Sequence, residues 1–180
     1  EPRDKETAQT AMEAALTGHM VFTTLHANDT ATAITRLSEM GIPPYLVGSS
    51  VIGVMAQRLI RKVCPKCSSS RQVDKEKDKL AYEHGIGFLK EANVVDLSKN
   101  NEKICPVCNG TGYKGRLGLY EVMKVNDPIR DLIMKSSTAD VIRECASENG
   151  VKSLLSYGLD LVEKGLTTIE EVERVCLLDD

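Results

Sequence analysis

Apolar positions in the first third of the chain change period twice. Over residues 6–17, Ala8, Ala11, Met12, Ala15 and Leu16 recur at steps of three and one, which is one stripe of a 3.6-residue helix, and Gly18 stands where a helix-ending residue belongs. Met20-Val21-Phe22-Thr23-Thr24-Leu25 follows as a short apolar, β-branched run. It predicts a buried strand of a parallel sheet, with His26 at the strand's C-terminal end. Asn28 or Asp29 can cap the next helix, whose stripe is Ala33, Ile34, Leu37 and Met40 and whose stop is Gly41-Ile42-Pro43-Pro44. Helix, strand, helix is α/β alternation.

From Pro44 to Val63 the chain is mostly apolar, with Arg58 and Arg61 near its end, and a helix giving way to a strand is expected. Residues 68–103 carry seven basic and seven acidic side chains and few large apolar ones. That stretch is expected to be partly irregular, with only a metal to give it a core. Leu117-Gly118-Leu119-Tyr120-Glu121-Val122-Met123 reads as a returning strand. The last third is helical: Val141, Ile142, Cys145 and Ala146 share a face before Gly150, and Leu154, Leu155, Leu159, Leu161 and Val162 precede Gly165. Thr168 with Glu171 three residues later is a capping box that opens a final helix.

The cysteines change this picture. Cys64-Pro65-Lys66-Cys67 and Cys105-Pro106-Val107-Cys108 are two Cys-x-x-Cys knuckles. Two intervening residues let one tight turn aim both sulfurs at one ion, and two such turns complete a tetrahedral shell of four thiolates, for which zinc is the expected metal. The spacing also suits disulfides, a redox dithiol or an iron–sulfur site. A structural zinc site can supply on the order of 10 kcal/mol of folding free energy, so the insert is expected to collapse without metal. Four thiolates leave no open position for water, which makes the site structural or a docking element and not hydrolytic. After the second knuckle, Gly110, Gly112 and Gly115 allow close backbone approach. Cys145 and Cys176 are expected as buried thiols on helical faces.

Composition bounds the rest. The 180 residues are 42% hydrophobic with 4% aromatics and no Trp, so the core is aliphatic. A net charge of −3 provides no global field for nucleic acid. Charge is uneven: residues 127–180 hold 12 acidic and 6 basic side chains, whereas Arg58, Arg61, Lys62 and Lys66 cluster beside the first knuckle. No apolar run approaches the roughly 20 residues of a membrane span. Glu1-Pro2-Arg3-Asp4 does not resemble a signal peptide, and metal-spaced thiols suit a reducing compartment, so an intracellular, soluble chain is expected. The start without Met points to a piece of a longer chain.

Several segments together resemble the C-terminal part of the traffic ATPases of type II secretion and type IV pilus assembly. They are Glu1-Pro2-Arg3-Asp4-Lys5-Glu6-Thr7-Ala8, Ala14-Ala15-Leu16-Thr17-Gly18-His19, Thr23-Thr24-Leu25-His26-Ala27-Asn28-Asp29 and Ala56-Gln57-Arg58-Leu59. The tail adds Gly115-Arg116-Leu117-Gly118-Leu119-Tyr120-Glu121 and Gly165-Leu166-Thr167-Thr168-Ile169-Glu170-Glu171-Val172. The tetracysteine insert favours the assembly or secretion branch, since pilus-retraction relatives generally lack it. The resemblance implies an α/β fold: the C-terminal half of a RecA-like ATPase core over 1–63, a zinc-binding insert over 64–114 and a mostly helical subdomain over 115–180. It further implies a homo-hexameric, cytoplasmic motor, peripheral at the inner membrane, that uses ATP and magnesium and meets secretion or pilus platform proteins.

By the same resemblance, Glu1 is similar to the glutamate that closes the Walker B motif and polarises the attacking water beside magnesium. Pro2 stands where the family usually has an aliphatic residue. His26 resembles the histidine of the family's "His box", placed near the terminal phosphate; read alone, a histidine after an apolar strand is more often structural. Arg58, with Gln57, is similar to a family arginine near the nucleotide base and subunit contact, with a salt bridge or zinc-domain packing as the alternative. Glu6 and Thr7 match motif positions that helix capping also explains. No Gly-x-x-x-x-Gly-Lys-[Ser/Thr] loop occurs: between Gly110 and Gly115 the spacing is right, but Lys114 precedes the last glycine. The chain by itself is therefore expected to be inactive toward ATP. Two other classes remain, a free-standing chaperone-like zinc module suggested by Cys105-x-x-Cys108-x-Gly110-x-Gly112, and a zinc ribbon for nucleic acid hinted at by Tyr113, Lys114 and Arg116.

Overall fold

Asp4 is an N-cap whose carboxylate accepts the Thr7 N–H at 2.8 Å, and the helix it opens, α1 (Lys5–Leu16), ends at Thr17 with Gly18 at φ +94°. The computed structural model describes residues 1–95 and 104–177. They form a mixed α/β chain dividing into two compact units, one of Glu1–Ala56 with Tyr120–Ser153, the other of Gln57–Leu119 with Leu154 onward.

In the first unit, α2 (Thr30–Glu39) is capped by Asp29, which accepts the Thr32 N–H at 2.7 Å, and α3 (Pro44–Ser50) begins on a proline whose missing N–H costs nothing there. The two long strands, β1 (Gly53–Val63) and β4 (Tyr113–Lys124), each with residues in both units, pair with each other. Val125 donates to the Ile52 carbonyl at one end and Cys64 to the Gly112 carbonyl at the other, so the pair is antiparallel. Beyond β4 come α5 (Asp127–Met134), capped by Asn126, and α6 (Ala139–Glu148). Ala8 and Met12, Ile34 and Leu37, Leu46 and Val47, Met123, Ile129 and Ile142 interlock as an aliphatic core. The stripe predicted for α2 is the face that packs, whereas of the α1 stripe Ala8 and Met12 are buried and Leu16 stays exposed.

Met20–Leu25 is not a strand. The segment has no regular structure, Phe22 is 90% exposed and Met20 69%. A buried parallel strand needs a neighbour to take its backbone groups. Among the described residues β1 pairs with β4, β2 pairs with β3, and no strand pairs with this segment.

The second unit adds β2 (Ser69–Gln72) and β3 (Phe88–Glu91), antiparallel in the register Ser69↔Glu91 to Gln72↔Phe88, with α4 (Lys79–Glu83) between them. Helices α7 (Leu154–Glu163) and α8 (Ile169–Cys176) complete it. The expectation that only metal gives the insert a core is corrected: Ala81, Ile86 and Leu89 are buried, and β3 packs against α7, which supplies the opposite wall. Of the stretch expected to be irregular, 96–103 lies outside the described residues. Cys145 and Cys176 are half-buried and not fully sequestered.

Helices α7 and α8 meet at a glycine. A Cβ built on Gly158 would lie 2.6 Å from Cγ1 of Val172, well inside van der Waals contact. Gly158→Ala is expected to lower stability by about 1–3 kcal/mol through overpacking. In a Val172→Ala background the same change should cost less; equal losses in both backgrounds by thermal denaturation would show that the contact is not the cause.

Candidate functional site

The end of β1 leads directly into the first knuckle, and the second leads directly into β4. Ser68 N–H bonds the Cys64 carbonyl at 3.2 Å, and Asn109 N–H bonds the Cys105 carbonyl at 2.8 Å, closing one turn around each Cys-x-x-Cys. Asn109 and Gly110 continue at φ +53° and +82°, a left-handed path that folds the backbone back toward the sulfurs. Cys64 N–H then bonds Gly112 O at 2.9 Å and locks the knuckles together. Gly112 is required there, since a Cβ would meet that of Ala92 at 2.9 Å.

All four Sγ atoms lie within 4.8 Å of one another, with Cys64–Cys105 at 4.0 Å and Cys67–Cys108 at 3.5 Å. Metal–sulfur bonds of about 2.3 Å in a tetrahedron put sulfurs roughly 3.8 Å apart, so the spacing fits one ion. It is far beyond a disulfide bond of about 2.05 Å. The cluster can therefore hold a metal ion. Backbone N–H groups of Cys108 and Val107 draw the Cys105 thiol down to about 6, favouring thiolate. Burial and the neighbouring Cys108 sulfur push Cys67 up to about 12. At Cys108, burial is outweighed by the Cys67 thiol and the N–H groups of Gly112 and Gly110, and the thiol is lowered. A thiol cluster of this kind shares protons that a cation replaces.

A buried carboxylate stands behind the first knuckle. Glu171, its side chain fully enclosed, accepts the Arg61 backbone N–H at 2.8 Å and the Arg61 guanidinium at 2.7 and 3.0 Å, while Arg174 donates at 2.9 and 3.0 Å. Arg61 also lies 4.0 Å over the Tyr113 ring, and the Tyr113 hydroxyl meets Thr168 Oγ1 at 3.0 Å. The expected capping box is thus half realised: Thr168 caps α8 by accepting Glu171 N–H, but the Glu171 carboxylate turns to the arginines.

The structure brings Glu1 and His26 together, with Oε1 and Nε2 3.1 Å apart, and Arg3 approaches the same carboxylate at 3.5 Å. The imidazole is 92% exposed. Gln57 and Arg58 sit on β1 in the second unit, Arg58 Nη1 reaching the Gln57 carbonyl at 3.4 Å. Glu6 is exposed in the first turn of α1, and Thr7 serves its N-cap. Sequence reasoning passed over Glu121, which is 7% exposed and accepts Thr30 N–H at 3.0 Å and Thr30 Oγ1–H at 2.5 Å. The signal was present: strand alternation puts Glu121 on the same face as buried Leu119 and Met123.

The sequence pattern of the family described as "Type II/IV secretion system protein" matches residues 1–174. The chain belongs to that family. Among its relatives, the type IV pilus assembly ATPase PilB of Thermus thermophilus is 44% identical over 172 residues, covering 96% of this chain and 19% of that protein. The type II secretion system ATPase E of Vibrio cholerae is 42% identical over 175 residues, covering 97% and 33%. This chain thus spans a third or less of their length. The pilus retraction motor PilT with bound ADP shares the fold at TM-score 0.61 and 22% identity, over 97% of this chain and 37% of that one. The Yersinia pseudotuberculosis ATPase DotB does so at 0.61 and 19%, over 99% and 36%. This secretion-family chain is mixed α/β like both of them, and among its described residues no helix is long and apolar enough to cross a membrane.

Desolvation opposes ionisation of Glu171, yet its bonds to Arg174 and Arg61 prevail and hold the carboxyl at about 2, below its ordinary 4.5. A depressed carboxylate stabilises the fold fully above the unfolded value and loses that contribution as pH falls through the folded one. Glu171→Gln should therefore cost on the order of 2 kcal/mol at pH 7, less than a fully buried pair because both arginines are partly open to water. The gap between the two proteins should close between about pH 4.5 and 2. A constant gap in acid unfolding curves would remove the charge from the explanation.

Proposed function

We propose that this chain is the C-terminal part of a cytoplasmic motor ATPase that powers type II protein secretion or type IV pilus assembly. The observation that carries the reading is 42–44% identity along almost all of this chain to ATPases of both systems, of which it spans 19–33%. In this reading, residues 1–63 are the C-terminal half of a RecA-like core, 64–114 the zinc-binding insert and 115–180 a mostly helical subdomain. The complete motor binds ATP and magnesium, assembles as a homo-hexamer and works peripherally at the inner membrane against platform proteins of the secretion or pilus machine. Glu1 is the water-polarising carboxylate and His26 the phosphate-facing imidazole. Their 3.1 Å contact supports a shared site. Gln57 and Arg58 contact the nucleotide.

Zinc in the Cys64, Cys67, Cys105 and Cys108 shell is structural, because four sulfur ligands leave no position for water. The sulfur spacing and the N–H donors around Cys105 and Cys108 support that assignment. Without a phosphate-cradling loop in its own sequence, the chain alone is inactive.

Elemental analysis of the complete protein, purified without chelators, should give one zinc per subunit, and a Cys105→Ser, Cys108→Ser double variant should lose the metal and melt earlier. Full thiol titration of native, zinc-free protein would end the zinc assignment. Hydrolysis of ATP by the complete motor should fall about a hundredfold in His26→Ala, the scale of losing one donor to a developing phosphate charge. Unchanged turnover in that variant, or vigorous magnesium-dependent turnover by residues 1–180 alone, would contradict the respective assignments.

A further inference from the structure

The segment that carries His26 ends at a helix start fixed from two sides. Helix α2 begins at Thr30, and its N-cap Asp29 lies three residues beyond His26. From β4, Glu121 reaches Thr30 with one carboxylate oxygen that accepts both its N–H, at 3.0 Å, and its hydroxyl, at 2.5 Å. From α6, Arg143 forks onto Asp29 Oδ2 through Nε at 2.9 Å and Nη2 at 2.6 Å, while its Nη1 bonds Asp140. Two carboxylates at one helix N-terminus both gain from its partial positive charge. Their mutual repulsion is offset where Arg143 joins Asp29.

This arrangement goes further than capping requires. Asp29 already satisfies the Thr32 N–H at 2.7 Å, so a second, nearly enclosed carboxylate from a distant strand adds register more than helix stability. Glu121 closes the Gly-Arg-x-Gly-x-Tyr-Glu stretch of residues 115–121. Among the described residues nothing comparable grips the imidazole, whose side chain is 92% exposed against Glu1. Its aim depends on where the backbone of Ala27 to Thr30 is anchored.

We propose that Glu121 and Arg143 are positioning residues for His26, fixing the Asp29–Thr30 start of α2 so that the imidazole is set at the phosphate end of the nucleotide site. The inference rests on the assignment of His26 made above. Neither side chain touches the nucleotide in this scheme, so each acts on turnover through His26. A misplacement of about 1 Å at a reacting group can cost up to a hundredfold in rate.

The test is a double-mutant cycle on the complete motor, reading kcat and KM for ATP separately. Glu121→Ala should lower kcat about tenfold or more with KM within about twofold, and Glu121→Gln, which keeps an acceptor oxygen, should recover most of it. Arg143→Ala should behave like Glu121→Ala. Combined with His26→Ala, Glu121→Ala should add little further loss, because its route to the chemistry is already gone. Gly158→Ala serves as a control for general destabilisation and should leave kcat in place.

Full multiplication of the two single losses would overturn the proposal, as would a loss in Glu121→Ala no larger than that in Gly158→Ala. If Glu121→Ala does not fold, the cycle is run with Glu121→Gln and Arg143→Lys, and the same additivity rule decides. Wild-type turnover in His26→Ala would instead bring down the underlying assignment. Loss in His26→Ala with none in Glu121→Ala and Arg143→Ala would bring down this inference alone.

Discussion

Four sulfurs can meet only if a chain that has left Cys67 returns to the same spot at Cys105, and the antiparallel pairing of β1 with β4 makes that return. Cys64 is the first residue past β1 and Gly112 the last before β4, and the hydrogen bond between them sets both knuckles in register. Everything placed around the knuckles inherits that register. Arg61 and Tyr113, one near the end of β1 and the other at the start of β4, come face to face, and Glu171 of α8 finds its partner in Arg61 on β1. A slip of one residue would turn alternate side chains over and part the sulfurs from each other.

Two carboxylates do similar physical work in the two units. Glu121 in the first and Glu171 in the second are both sealed from water and both accept a backbone N–H from an element far off in sequence. An enclosed carboxylate is costly unless its oxygens are taken up, and such a requirement tolerates few arrangements. These contacts therefore specify geometry more than they add stability. In the second unit the requirement is met by charge, with two guanidiniums; in the first the bonds described come from the backbone and hydroxyl of one threonine.

Much of this was legible in the residue order where the cause is local. The α2 stripe, the Ala8 and Met12 part of the α1 stripe, the Asp29 cap and the capping role of Thr168 depend on neighbours within four positions, and all are seen. The cysteine clusters could be read because turn geometry fixes the Cys-x-x-Cys spacing. What failed depended on distant partners. Met20–Leu25 has a strand's composition, but a strand exists only beside another. The Glu171 side chain was assigned to its own helix end because no local rule announces Arg61, which lies 110 positions away. The core of the insert was missed since its wall, α7, follows much later in the chain.

The exposed run from Met20 to Leu25 has a colloidal consequence. Six residues with no charge and no proline, rich in β-forming side chains and open to water up to the half-buried Leu25, match the composition that nucleates intermolecular sheet. Its nearest ionisable neighbours are the histidines His19 and His26 at either end. No gatekeeping charge therefore lies within the stretch itself. Association between copies of the isolated chain is thus expected to start at Met20, Val21 and Phe22, which the packed cores leave exposed.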